Sequence, residues 1–242
     1  MGHKFELNDA AEVEATPEQL WEAIATGPGI DSWFMGRNEV SGGTGGVVRA
    51  AFGGYAPEFA ITAWDPLERL VYGDESPDGR RLAYEFLIEG RAGGSTVVRC
   101  VTSGFLPGDD WEDEFEAMTT GGALFFRTLV EYVTHFAGRT AVPVTAYGPP
   151  VRNWPAAWNT LGRALGLSGP AALADRVVIA GSEGVVYAVN DQTIGIRTAD
   201  AMYRFLRGFH GPMVAAHHLF TPGADPAAEE KSWSAWLGDV LI

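Results

Sequence analysis

The sequence predicts an α+β fold in which an antiparallel meander covers one face of a long helix, followed by a smaller α+β unit. Three observations carry it. Residues Asp110 to Ala137 place Phe115, Met118, Gly122, Phe125, Leu129, Tyr132, Val133 and Phe136 at three-four spacing, the stripe of a long amphipathic helix. Ahead of it lie four or five segments of period two, separated by turn residues. Behind it, from Pro155 onward, the pattern of the first part returns in shortened form.

Bulk properties narrow the function. At 242 residues, one domain plus a smaller appendage is expected, and 46% hydrophobic residues supply a sizeable core. A net charge of -14 repels phosphate backbones and anionic lipid, so neither nucleic acid nor a membrane surface is an expected partner. The single cysteine, Cys100, makes no intrachain disulfide, no run is apolar enough to span a bilayer, and the N-terminus lacks an apolar leader core. A cytoplasmic location is therefore expected.

In chain order, Phe5 to Val13 alternate loosely and read as an opening strand. Thr16-Pro17-Glu18-Gln19 has the cap, the first-turn proline and the reaching glutamine of a helix start, so a helix is expected from Pro17 to about Ala25. Gly27-Pro28-Gly29 ends it, and a short helical piece carries Ile30, Trp33, Phe34 and Met35. After a glycine-rich turn at Gly42 to Gly46, strands are expected near Val47-Phe52, Glu58-Trp64, Arg69-Gly73, Arg81-Glu89 and Ser95-Phe105. In the fourth of these, Leu82, Tyr84, Phe86 and Ile88 share one face, and Val98, Cys100 and Thr102 of the fifth face with them. A sheet apolar on one side is a natural partner for the long helix. Asp110, Glu112, Asp113 and Glu114 suit the positive end of that helix, and Gly138 suits its C-terminal cap. Gly121-Gly122 in mid-helix costs about 1 kcal/mol per glycine relative to alanine, which points to close packing or to empty space.

These residues resemble a known family. The series Thr16-Pro17-Glu18-x-x-Trp21-x-Ala23, Trp33-Phe34, Asp65-Pro66-x-x-Arg69-Leu70-Val71-Tyr72 and Thr102-Ser103-Gly104-Phe105, closed by the long helix, is similar to the START-like or SRPBCC superfamily. Within it, the nearest branch is named after activators of the ninety-kilodalton heat-shock protein ATPase. The resemblance covers residues 5 to 138 and implies a helix-grip fold, of the START and birch-pollen-allergen kind, with an apolar cavity between sheet and helix. Members of that branch often carry a tryptophan after the mid-helix glycine, where this chain has Gly121-Gly122-Ala123, so a larger cavity is expected. Cochaperones of the branch carry a separate N-terminal chaperone-binding domain, which is not expected to precede this fold.

In the second half, residues 139-153 are rich in proline and glycine and read as a linker. Pro155-x-x-Trp158-x-x-Leu161 matches the first helix, Tyr203-Arg204-Phe205-Leu206 matches Tyr84-Glu85-Phe86-Leu87, and Phe220-Thr221-Pro222-Gly223 matches Phe105-Leu106-Pro107-Gly108. A final helix is expected over Pro226 to Val240, with Trp233, Trp236, Leu237 and Val240 on one stripe. The domains expected are thus a START-like unit over 1-138, the linker, and a degenerate START-like repeat over 154-242. Packing against the first half, or a homodimer, would cover the excess apolar surface of the repeat.

No cofactor or metal is expected. His217-His218 are neighbours on a strand and point to opposite faces, so they do not converge on one ion. The acidic run Asp109 to Glu114 lacks the spacing and glycine of a calcium loop, and Ser41 to Gly46 lacks the lysine and following helix of a phosphate loop. Cys100 on an apolar face is expected to be an inert thiol rather than a nucleophile.

The ligand-lining candidates are Trp33, Trp64, Tyr72, Tyr84, Phe86, Cys100, Thr102, Trp111, Phe115, Met118, Gly122 and Phe125, with the tyrosine hydroxyls and Thr102 supplying orientation. The superfamily resemblance implies non-catalytic binding of a hydrophobic, aromatic or polyketide-type natural product, in carriage, sequestration or self-resistance, with an enediyne as a specific case. A polyketide aromatase or cyclase is the alternative; the expected inward positions offer it no histidine or carboxylate. A chaperone-interacting module is the third.

Overall fold

The computed structural model describes residues 2–51, 54, 56–91, 93–108, 111–208 and 211–241, with the side chains of residues 113 and 117 also left aside. The chain divides into two compact units, Met1–Thr140 and Ala141–Ile242.

The first unit opens with β1 (His3–Val13), then α1 (Pro17–Ala25) and a single-turn α2 (Gly27–Ile30). A meander follows: β2 (Arg37–Ser41), β3 (Val47–Ala51), β4 (Glu58–Asp65), β5 (Arg69–Glu75), β6 (Arg81–Gly90) and β7 (Thr96–Leu106). The long helix α3 (Glu112–His135) closes the unit. The sheet is antiparallel in the order β1-β7-β6-β5-β4-β3-β2, so the chain's first strand pairs with the last strand before α3. That order, with two short helices after the first strand and a long helix at the end, is the helix-grip arrangement.

Local chemistry sets the element ends. Thr16 and Gln19 form the expected capping box: the Gln19 N–H donates to Thr16 Oγ1 at 3.3 Å, and the Thr16 N–H donates to Gln19 Oε1 at 2.9 Å. Gly138 sits just past α3 at φ 80°, a left-handed conformation that glycine adopts without Cβ strain. At the other end, Trp111 occupies the N-cap position without a side-chain hydrogen bond, and Glu114 pairs with Arg80 at 2.7 Å. Asp109 and Asp110, part of the expected acidic cluster, and Phe52 lie outside the described residues.

Two expectations are corrected. β2 was not foreseen; it is held by Asp31, whose Oδ1 accepts from the Asn38 backbone N–H at 2.6 Å and side-chain amide at 3.1 Å. The supposed linker over 139-153 contains β8 (Val142–Pro150), which pairs with the last strand of the second unit. Its prolines sit where the sheet tolerates them, on an edge strand.

The second unit continues through α4 (Trp154–Ala164), β9 (Arg176–Ile179), β10 (Ser182–Asn190), β11 (Thr193–Arg197), β12 (Ala201–Arg207), β13 (Pro212–Leu219) and α5 (Pro226–Leu241). Its six-stranded antiparallel sheet has the order β8-β13-β12-β11-β10-β9. It repeats the first unit with one strand fewer and a single helix after the opening strand. Asn153 caps α4 by accepting the Ala156 N–H at 3.1 Å. Trp233 and Leu237 of α5 are buried in a core with Leu161, Phe205 and Met213. Among the described residues no helix is long and apolar enough to cross a membrane.

Candidate functional site

Strand register builds one wall of the site in the first unit. Tyr72 on β5 stands opposite Tyr84 on β6, which stands opposite Thr102 on β7, which in turn stands opposite Leu7 on β1. The next row is Leu70, Phe86, Cys100 and Asp9, and the row on the other side is Asp74, Leu82, Gly104 and Phe5. Because side chains alternate, these three rows share a face. On it, Tyr72, Tyr84 and Phe59 form a ring cluster with centroids 5.4, 5.9 and 5.9 Å apart, and Tyr72 reaches Phe86 at 6.2 Å.

The opposite wall is α3, which packs chiefly along β1. Phe115 meets Phe5 at 5.7 Å, and Trp111 stacks on His3 at 3.8 Å. Further along, Phe125 meets Phe34 at 4.5 Å. Between these contacts the helix presents Gly121 and Gly122. A Cβ added at either glycine would find nothing within 4 Å. Both glycines are half-buried, as are Leu7, Phe59, Tyr84 and Thr102 on the sheet. The sequence left two readings of the glycine pair, close packing or space, and the geometry is that of space.

The candidate residues are not all brought together. Tyr72, Tyr84, Phe86, Cys100 and Thr102 form the sheet wall, and Gly122 and Phe125 lie on α3. Trp33 is 4% exposed, donates its indole N–H to Ala23 O at 2.9 Å, and contacts Phe34 and Phe86, so it is a core residue packed on the inward side of the sheet beside Phe86. After a β-bulge between Ile61 and Ala63, Trp64 stands opposite Leu70, in the row of Phe86 and Cys100, and packs on Trp21 of α1 at 5.0 Å. Trp111 and Phe115 mark the His3 end, and Met118 is half-buried one turn before Gly122.

Electrostatics on this face follow from burial. Desolvation raises the Cys100 thiol to about 12, Thr102 opposes that by hydrogen bonding, and Asp9 adds to it. Cys100 is thus a protonated thiol, not a nucleophile. Burial likewise holds the Tyr72 hydroxyl well above the usual tyrosine range. Asp9 is raised by desolvation. Inward carboxyls were not expected, yet Asp9 and Asp74 occupy the face of Tyr72 and Tyr84. Period two from Phe5 through Leu7 to Ala11 and Val13 would have placed Asp9 in the apolar phase of β1, which is the signal that was available. Phe59, two residues before Ile61, was missed in the same way.

A separate groove of about 980 Å³ involves the other face of the sheet. Its floor is Ser103, Ala83, Gly73 and Ala60, four small residues in register across β7, β6, β5 and β4. Lys4, Glu6, Glu58, Glu75 and Arg81 also line it.

In the second unit His217 and His218 are both 1% exposed and point to opposite faces. The His217 ring lies edge-on to Trp233 at 4.3 Å and beside Tyr203 and Phe205, while His218 Nε2 is 2.7 Å from Arg204 Nη2. Burial, with Arg204 nearby, lowers His217 to about 3, and burial lowers Arg204 to about 10. Among the described residues no group of three or more His, Cys, Asp or Glu is placed to hold a metal ion.

The architecture is that of a helix-grip protein in two units, the second shortened. No family model matches the chain and no curated protein matches it. Among solved structures it is similar to the di-domain ARO/CYC BexL from the BE-7585A biosynthetic pathway, at 13% identity over 98% of this chain and 98% of that one, TM-score 0.47. It is also similar to DynU16, from the dynemicin biosynthetic locus, at 16% identity over 97% and 96%, TM-score 0.42. The Aha1 dimer from Colwellia psychrerythraea matches 54% of this chain and 96% of its own, at 23% identity and TM-score 0.44.

Proposed function

We propose that the first unit binds a hydrophobic aromatic small molecule between its sheet and α3. The observation that carries this reading is the open space at Gly121 and Gly122 of α3, together with the half-buried aromatic and polar side chains on the inward face of the sheet. Apolar burial in such a space supplies affinity, and a few polar groups fix orientation. Thr102 and the hydroxyls of Tyr72 and Tyr84 are those groups. Trp33, Trp64, Trp111, Phe115 and Met118 contribute as the frame around the space rather than as one continuous lining. The motif series of the first unit favours the branch named after activators of the heat-shock ATPase, and the superfamily likeness favours a polyketide-type natural product, enediynes included, held for carriage or self-resistance.

The test is intrinsic tryptophan fluorescence titrated with polycyclic aromatic natural products. Saturable quenching by at least one compound supports the reading, and no change with any of them contradicts it. One observation favours a second reading, a polyketide aromatase or cyclase: the inward Asp9 is a carboxyl of raised pKa, the kind of group that moves protons at a substrate carbonyl. Turnover of a poly-β-ketone by the wild type and its loss in Asp9→Asn would establish that role; binding without turnover leaves the first reading.

A further inference from the structure

The inward face of the first sheet is acidic. Asp9 and Asp74 share it with Tyr72 and Tyr84, and among the described residues no lysine or arginine occupies a position in register with them on that face. The two carboxyls sit three strands and two rows apart, about 20 Å at the usual strand spacing and rise, so each acts alone. Asp9 is half-buried, desolvation raises its titration, and among the described residues no hydrogen bond or cation holds its carboxylate. Its flanking groups on the face are neutral: Cys100 is directly opposite, and Thr102 and Tyr84 lie one row away. On α3, Glu114 pairs with Arg80 and Glu131 with Arg127 and His135, while His3 at the end of β1 is stacked on Trp111.

An ionised carboxyl in this setting lacks what a ligand can bring, a positively charged hydrogen-bond donor. Phe59, Tyr72 and Tyr84 present ring faces, which attract a cation as well as an aromatic body. The protein as a whole, at net charge -14, favours the approach of cations. Resting on the binding reading above, we propose that the cavity selects aromatic ligands that carry a protonated amine, with Asp9 accepting the ammonium N–H and the Phe59, Tyr72 and Tyr84 cluster holding the aromatic body.

A matched pair of probes separates this proposal from the reading beneath it: anthracenylmethylamine, a cation at neutral pH, and anthracenylmethanol, its neutral counterpart. Both are followed by their own fluorescence with the full chain and with Asp9→Asn, which keeps side-chain shape. The wild type is expected to bind the amine about tenfold or more tightly than the alcohol, a difference of one charge-assisted contact, and Asp9→Asn to erase that preference. If the wild type binds both equally, or if Asp9→Asn keeps the preference, the assignment of Asp9 is overturned while the cavity reading stands. If the wild type binds neither, the cavity reading fails and the proposal fails with it.

Discussion

Asp9 on β1 stands directly opposite Cys100 on β7, a carboxyl and a thiol facing the same half-open space from adjacent strands. Burial raises the titration of both, and Asp9 raises that of Cys100 further, so the thiol is not a resting nucleophile.

The cysteine half of the pair predicts chemical inertness. With its thiol raised to about 12 and its side chain 8% exposed, Cys100 should react with iodoacetamide at pH 8 far more slowly in the native protein than in urea. Mass spectrometry of timed samples reads the difference. Native labelling at the denatured rate would mean that the thiol is exposed and ionisable.

The aspartate half predicts a pH signature in stability. A carboxyl whose folded pKa is raised holds its proton more tightly in the folded state, so its contribution is fully present below the ordinary value of 3.8 and is lost as pH rises through the folded value. Asp9→Asn removes that loss. Thermal melts from pH 3 upward should therefore show the variant gaining on the wild type as pH rises, and a constant gap would refute it.

The second unit should respond in the opposite direction. His217, lowered from 6.5 to about 3, is bound neutral in the folded state, so the stability it allows is present above 6.5 and is lost as pH falls from there toward 3. His217→Phe should shift the acid midpoint to lower pH. The same change removes the acceptor of the Arg204 backbone N–H, so at neutral pH it should lower stability by about 1–3 kcal/mol. Urea unfolding at pH 7 and pH 4 measures both effects.

The elements that sequence reading anticipated are those whose residues carry a strong local signal. α1 has its capping box, α3 its stripe, and β6 its alternation of Leu82, Tyr84, Phe86 and Ile88. What escaped depends on pairing. β2 is five residues long and is fixed by Asp31, a contact from another element. β8 is hidden by Pro143, Pro149 and Pro150, which read as a linker unless an edge position is known. The site was partly legible: Tyr72, Tyr84 and Thr102 follow from period two, whereas Trp64 reaches the row of Leu70, Phe86 and Cys100 only through a bulge that no local pattern announces. Asp9 escaped because a carboxyl stands in the otherwise apolar phase of Phe5, Leu7, Ala11 and Val13, where an apolar residue is expected.

The glycine pair gives a prediction about stability as well as space. Gly121→Ala and Gly122→Ala should each stabilise the protein by about 0.5–1 kcal/mol, since alanine is the better helix former and its Cβ would meet nothing within 4 Å. A loss of stability in chemical denaturation would place those positions against packed neighbours instead.

The most direct measurement is a titration of anthracenylmethanol into the wild type and into Gly122→Trp, whose indole would occupy the space between α3 and the tyrosine wall. Saturable binding to the wild type, weakened about tenfold or more in a variant that is folded and no less stable, is the predicted result. Equal binding by the two proteins would place the ligand elsewhere and contradict the account.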